Sequence, residues 1–461
     1  MRILPVVKPT SEQLQLLLDT KPGVFVIKGA AGSGKTTTAL MRLRHLCAWW
    51  LKRRERLGLA RPVRVLVLTY NRTLQGYIAE LAADQVQADA HLQLEVTTFG
   101  KFAVDLVGGP DDREANNILQ RLIAQFGMPD DFLDDEIQYV LGRFEQARLE
   151  EYVTAQRDGR GVSPRMEGAT RRRLLDEVIY PYIQAKKVDG LRDWNDVAIE
   201  AGDSPAEPWD VVIVDEAQDF SANQVRTILK HVPDDHSVTF VLDAAQRIYP
   251  RSFTWKEAGI PYVTSRTLKK NHRNTKQIAA LARSLVDGMS VGDDGILPDF
   301  DAATVTGALP SMLVGKFSDQ MDWVVKNVLD TADLTDESVV FLHPRGGGWF
   351  DYVKSRLRDA SFPYVQLTRA SEWPGGAETV ALCTIHSAKG LEFDHVVILG
   401  LNQEVTPHGD GADDAGLDNL RRLLAMGVGR ARKTVTIGYK ADEASTLIGL
   451  IDPSTYRRVD L

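Results

Sequence analysis

Short, nearly unbroken apolar runs alternate with longer stretches whose apolar positions recur every three or four residues. Val24–Lys28, Val63–Thr69, Leu92–Thr97, Val211–Val214 and Val238–Leu242 are strand-sized. Helical spacing between them predicts a parallel sheet with helices on both faces. Between Gly100 and Pro205 this rhythm breaks. That block is strand-poor, charged and helical in period, as in Ala115–Phe126 and Arg171–Lys187, and reads as a helical insertion over residues 101–206. A second strand series follows Thr264: Ser311–Val314, Ser338–Leu342, Pro363–Leu367, Val380–Ile385, His395–Leu399 and Val435–Gly438. The expected fold class is α/β, in two units. Gly259-Ile260-Pro261 reads as the connector, which divides the chain into residues 1–262 and 263–461.

The first strand runs into Gly29-Ala30-Ala31-Gly32-Ser33-Gly34-Lys35-Thr36-Thr37. A strand that ends in such a loop turns backbone N–H groups inward as a nest for phosphate oxygens. The helix expected from Thr36 to about Cys47 puts its positive end on the same anion. Lys35 is placed to neutralise the β- and γ-phosphates, and the Thr36 hydroxyl to ligate Mg²⁺. The cofactors expected are therefore ATP and Mg²⁺.

Val211-Val212-Ile213-Val214 leads into Asp215-Glu216. Two carboxylates at the end of a buried strand stay uncompensated without a cation. Asp215 is expected to hold Mg²⁺ and Glu216 to take the proton of the attacking water. Gln13 follows the helix-capping pair Thr10-Ser11, and its amide matches the edge of adenine. Tyr70 and Asn71, like Thr98 and Phe99, end strands on the ligand side, where aromatic rings suit base stacking. Past the strand Val238–Leu242 come Gln246, a candidate γ-phosphate sensor, and Tyr249.

Charge and cysteine content narrow the setting. The net charge of −8 argues against coating nucleic acid by bulk attraction, though it leaves room for a local basic groove. Two cysteines, Cys47 and Cys383, have no metal-like spacing, which fits a reducing compartment. The N-terminal apolar run is too short for a signal peptide, and no run approaches a membrane span. A cytoplasmic protein with no membrane partner is expected.

After the phosphate loop the chain carries, in order, DEAQDF, LDAAQRIY, LKKNHRNT, TIHSAKGLEFD and RRLLAMGVGRARK. This series resembles the superfamily 1 helicases of the UvrD/Rep type. The resemblance implies two RecA-like P-loop domains with ATP in the cleft between them. It also implies single-stranded DNA across their tops and 3′-to-5′ movement, in DNA repair or recombination. Arg273 and Arg430 are then the arginine fingers, which deliver charge to the γ-phosphate only when the cleft closes. By the same resemblance His386 and Ser387 touch the strand or relay from Gln246, and Glu392 binds the ribose.

Some positions depart from the family. Thr37 stands where relatives often have Arg. His272 replaces the aromatic before the finger arginine and can still stack. Arg251 replaces a Trp, whose stacking role falls to Phe253 or Trp255. Only Thr368–Thr379 lies where larger relatives insert an accessory domain, and the chain ends soon after Arg430. The first reading is therefore a compact helicase acting on single-stranded and tailed duplex DNA. The alternative is a DNA-stimulated ATPase subunit of a repair or anti-phage complex, with a protein partner such as a nuclease doing the cutting. A small-molecule P-loop kinase does not account for DEAQDF or the two arginines.

Overall fold

The computed structural model describes residues 9–29, 32–69, 75–76, 78–79, 82, 89–155, 166–242, 253–268, 271–289, 303–368, 374, 376, 378–408 and 415–461. The first sheet contains β1 (Gly23–Gly29), β2 (Val63–Thr69), β3 (Leu92–Thr98), β4 (Val211–Val214), β5 (Ser237–Leu242) and β6 (Thr264–Leu268). Their order is β3-β2-β4-β5-β1-β6, with every neighbouring pair parallel. A separate parallel pair joins β7 (Asn271–Thr275) to β8 (Ala303–Val305). The second sheet contains β9 (Ser311–Val314), β10 (Val339–His343), β11 (Tyr364–Leu367), β12 (Val380–Thr384), β13 (Phe393–Ile398), β14 (Ala431–Tyr439) and β15 (Arg457–Asp460). It runs β11-β12-β10-β13-β14-β9-β15, again parallel throughout.

The inner strands are apolar on both faces because helices cover both faces. Val26, Val65, Val67, Val212 and Phe240 are buried in the first sheet, and Val339, Leu382, Val396 and Val397 in the second. Four strands were missed by pattern: β7 and β8 of the separate pair, and β6 (TSRTL) and β15 (RRVD), which are polar edge strands of the two main sheets. An edge strand has one neighbour, and charge there discourages pairing with another chain. β6 pairs with β1, so the first sheet extends to Leu268, past the division expected at residue 262.

Helix α1 (Ser11–Leu18) is capped by Thr10, with Gln13 completing the box. Helix α2 (Lys35–Leu57) starts on the phosphate loop and continues well past Cys47. Trp50 keeps its buried face going, and nothing stops the helix until Gly58 takes up the left-handed conformation at φ 63°. Arg42 of α2, buried over the Phe25 ring at 4.3 Å, donates to the carbonyls of Leu16 and Asp19 and so fixes α1 against α2.

Between β3 and β4 the described residues form helices and no strand, as expected of the insertion. These helices bury a core of their own, including Leu133, Ile137, Val140, Leu174, Val178 and Ile179. The insertion is stitched to the helix Ala222–Lys230, which follows DEAQDF. Asn223 donates to the carbonyls of Leu141 (2.8 Å) and Phe144 (3.1 Å), and Arg226 to that of Arg143 (3.0 Å). Among the described residues no helix is long and apolar enough to cross a membrane.

Candidate functional site

The loop after β1 depends on glycine. Gly32 and Gly34 have φ of 80° and 76°, a region that suits residues lacking Cβ. A Cβ on Gly34 would meet Gln13 Nε2 at 2.8 Å, and one on Gly29 would meet Ser33 Oγ at 2.4 Å. Ser33 Oγ is buried and has no hydrogen-bond partner among the described residues, which leaves a polar atom of the loop unsatisfied. A hydroxyl donor in that position fits a phosphate oxygen. Ala30 and Ala31 lie outside the described residues.

Gln13 serves this loop directly. Its Oε1 accepts from the Thr10 N–H (2.9 Å), and its Nε2 donates to Thr38 Oγ1 (2.9 Å). Thr38 Oγ1 in turn donates to the Gly34 carbonyl at 2.7 Å. These bonds fix the loop at its turn into α2, a role not foreseen for either residue. Thr37 is half-buried in the first turn of α2.

The Thr36 hydroxyl lies 3.1 Å from both oxygens of Asp215, which emerges from β4 next to the loop. Burial, then the charge of Glu216, pushes the Asp215 carboxyl up to about 7, against the pull of Thr36 and Lys35. A nearby cation would favour the ionised form of a buried acid of this kind. Among the described residues no three His, Cys, Asp or Glu side chains cluster to hold a metal. Thr36 and Asp215 therefore fit Mg²⁺ only with phosphate oxygens and water as the remaining ligands.

Glu216 is held at φ 52°, ψ 41°, left-handed for a residue with a Cβ. The short turn Ala217–Asp219 follows, and the Gln218 amide donates to the Glu216 carboxylate. Burial works to raise the Glu216 carboxyl. Lys389, then Lys35 and Arg430, then Gln218 outweigh it, and the group stays below the usual carboxylate range.

Two of those cations come from the second sheet. Lys389 lies in the turn between β12 and β13, with Nζ 2.6 Å from Asp219 Oδ2 and 3.9 Å from Glu216 Oε2. Both Lys389 and Asp219 are almost fully buried. Arg430 is buried just before β14 and donates to the carbonyls of Met426 (3.3 Å) and Leu391 (3.5 Å). Asn274 of β7 donates to the carbonyls of Gly429 (3.1 Å) and Ala431 (2.6 Å), on either side of Arg430. The strand bearing His272 and Arg273 is thereby joined to the turn bearing Arg430, although the side chains of those two residues lie outside the described set.

Lys35, Thr36, Asp215, Glu216 and Arg430 are thus brought into one pocket, with Lys389, Gln218 and Asp219 beside them. The last three received no role from sequence, although all sit inside the motifs DEAQDF and TIHSAKGLEFD. His386 and Glu392 are half-buried in the chain leading from β12 to β13.

The nucleic-acid expectations fare differently. Phe99 begins the helix Phe99–Val107 with its ring in the core, 6.0 Å and edge-on from Phe220, so it offers no face to a base. Thr98 caps that helix by accepting from the Lys101 N–H (3.2 Å). Trp255 packs on Phe240 at 4.9 Å and edge-on to Phe253 at 5.9 Å, closing one end of the core. Phe99 and Thr98 are thus buried in the first unit, while Trp255 stays half-buried at its edge. Tyr70, Asn71, Gln246 and Tyr249 lie outside the described residues.

Comparison with known proteins is decisive for the family. The model of the UvrD-like helicase C-terminal domain matches residues 362–442, and that of an AAA domain matches residues 13–251. The chain belongs to the superfamily 1 helicases of the UvrD/Rep type. Among relatives of this helicase-family chain, the "Probable DNA helicase" of Mycoplasma pneumoniae is 22% identical over 448 residues, covering 89% of this chain and 79% of that protein. ATP-dependent DNA helicase PcrA of Bacillus subtilis is 39% identical over 69 residues, 15% of this chain and 9% of PcrA. DNA helicase II of Escherichia coli is 43% identical over 63 residues, 13% of this chain and 9% of that enzyme. A solved C-terminal domain of a possible DNA helicase from Lactobacillus plantarum aligns with a TM-score of 0.31 and 19% identity, over 41% of this chain and 98% of that one.

Proposed function

We propose that this chain is an ATP-dependent 3′-to-5′ DNA helicase or translocase, built as two RecA-like lobes. On this reading it acts in the cytoplasm, in repair or recombination, on single-stranded and tailed duplex DNA. One observation carries the reading: cations from the second sheet, Lys389 and Arg430, bear on the carboxylate of Glu216 in the first. A nucleotide pocket made from two lobes makes turnover depend on how the lobes sit, which a motor requires.

Bound ATP with Mg²⁺ supplies the phosphoanhydride bond and the metal's polarisation of its oxygens. The chain's own groups do the rest. Backbone N–H groups of the loop and Lys35 would hold the phosphates, while Thr36 and Asp215 would hold the metal. Glu216, kept ionised by its cationic neighbours, orients a water molecule and takes its proton. Arg430 and Arg273 stabilise charge that develops on the transferred phosphoryl group.

The second reading is an ATPase subunit that needs a partner, such as a nuclease, before strands separate. It is favoured by the chain between β11 and β12, where only residues 368–379 stand in place of a domain. Strand displacement on 3′-tailed and 5′-tailed duplexes, with wild type and Lys35→Ala, separates the two. Lys35-dependent opening of the 3′-tailed duplex alone supports the first reading. DNA-stimulated ATPase without displacement supports the second, and no stimulation by any polynucleotide sinks both.

A further inference from the structure

Beyond the end of β10 the chain reads His343-Pro344-Arg345-Gly346-Gly347-Gly348-Trp349-Phe350. His343 is buried, and its Nδ1 accepts from the N–H groups of Arg345 (3.1 Å) and Gly346 (2.9 Å). Those two bonds fold the backbone back on the ring. Gly346 sits at φ 69°, and a Cβ there would lie 2.5 Å from Thr384 Cγ2 at the end of β12, so only glycine permits the approach. The returning chain lays Trp349 on His343, ring centroids 5.2 Å apart and planes 18° from parallel. Phe350 packs edge-on to the same imidazole from the core, at 6.0 Å and 71°.

The result is an indole held in place by a buried ring, yet 41% exposed. An exposed aromatic on a free side chain would need no account. This one is preorganised: a neighbouring ring, a glycine turn and two backbone hydrogen bonds fix its plane before any ligand arrives. Burial, with Arg345 adding, lowers the His343 imidazole to about 4, so the floor of the stack is neutral at physiological pH. Arg345 itself is exposed. The stack stands at the carboxyl ends of β10 and β12, and Thr384, against which its turn packs, leads directly to Ile385-His386.

We propose that Trp349, backed by His343, is a base-stacking platform for single-stranded nucleic acid on the second sheet. The inference rests on the function proposed above and adds an aromatic contact on the second sheet. A flat, apolar face beside an exposed guanidinium suits a nucleotide, with its base on the indole and its phosphate towards Arg345.

The test is fluorescence anisotropy with a labelled oligothymidylate and with a strand of the same length carrying abasic sites. Trp349→Ala should weaken binding to the base-bearing strand by roughly tenfold, and Trp349→Phe by much less, as one stacked base implies. On the abasic strand wild type and Trp349→Ala should bind alike. Thermal unfolding midpoints matching wild type within a few degrees confirm the variants' fold, and Trp349→Leu, which keeps apolar bulk but has no ring face, carries the test with the same expected loss if the alanine variant does not fold. Equal binding of the base-bearing strand by wild type and both variants overturns the platform alone, as does an equal loss on both strands. If wild type binds neither strand, the helicase reading falls and the platform with it.

Discussion

Replacing Lys389 by Met removes the cation that joins the two sheets beside the nucleotide pocket. Its Nζ lies 2.6 Å from Asp219 Oδ2, both groups almost wholly out of water. At an effective dielectric of about 20, charges at that spacing attract by roughly 6 kcal/mol before desolvation is counted. Desolvation takes back much of this, so the intact pair contributes little net stability. Breaking it is another matter, because the surviving charge stays buried. Lys389→Met should therefore cost about 3–5 kcal/mol, since Asp219 is left beside Glu216 with its main counter-ion gone. The double variant Asp219→Asn, Lys389→Met has no such charge and should lie within about 2 kcal/mol of wild type. Urea unfolding of the four proteins of this cycle, followed by tryptophan fluorescence and circular dichroism, gives the coupling. Lys389→Met within about 1 kcal/mol of wild type, or two single effects that simply add, would refute the reasoning.

Glu216→Gln should keep nucleotide affinity while lowering turnover by about 10²–10⁴-fold, the usual worth of a positioned general base. Normal turnover would mean another group takes the proton. The His343 imidazole is lowered in the fold, so between about pH 6.5 and 4 the unfolded chain binds the extra proton and stability falls as pH drops through that window. The loss should approach about 3 kcal/mol near pH 4, and His343→Gln, which does not protonate, should flatten the profile by that amount. Identical profiles for the two proteins would contradict the assignment. Asn274→Ala strips two buried carbonyls of their donor and should cost about 1–3 kcal/mol in stability, with turnover reduced more than nucleotide affinity. Unchanged turnover would show that the Asn274 clasp does not position Arg430.

The sheets were legible because their inner strands are continuous apolar runs, and Val63–Thr69, Val211–Val214 and Ser311–Val314 match prediction residue for residue. The edges were not. TSRTL and RRVD carry the polar residues that one-sided pairing allows, and only their neighbours β1 and β9 make them strands. Within the site, Lys35, Thr36 and Asp215 could be grouped because each stands at a strand end or loop whose geometry is local. Lys389 could not, since its partner lies 170 residues earlier and nothing in the residues between announces the meeting. Phe99 shows the opposite error. An aromatic residue at a strand tip looks ligand-facing in one dimension, but the chain turns into a helix at that point and the ring swings under Phe220.

The seam between the helical insertion and the helix behind DEAQDF bears on how any stroke would be delivered. Asn223 and Arg226 fasten that helix to the end of Asp130–Arg143, and Arg143 reaches on to Glu257 at 2.6 Å. That helix begins at Ala222, shortly after Asp215 and Glu216, so among the described residues the insertion is tied closely to the end of β4. In the stroke proposed above, such fastening would make the insertion travel with the first sheet, and any change of arrangement would fall on the contacts with the second.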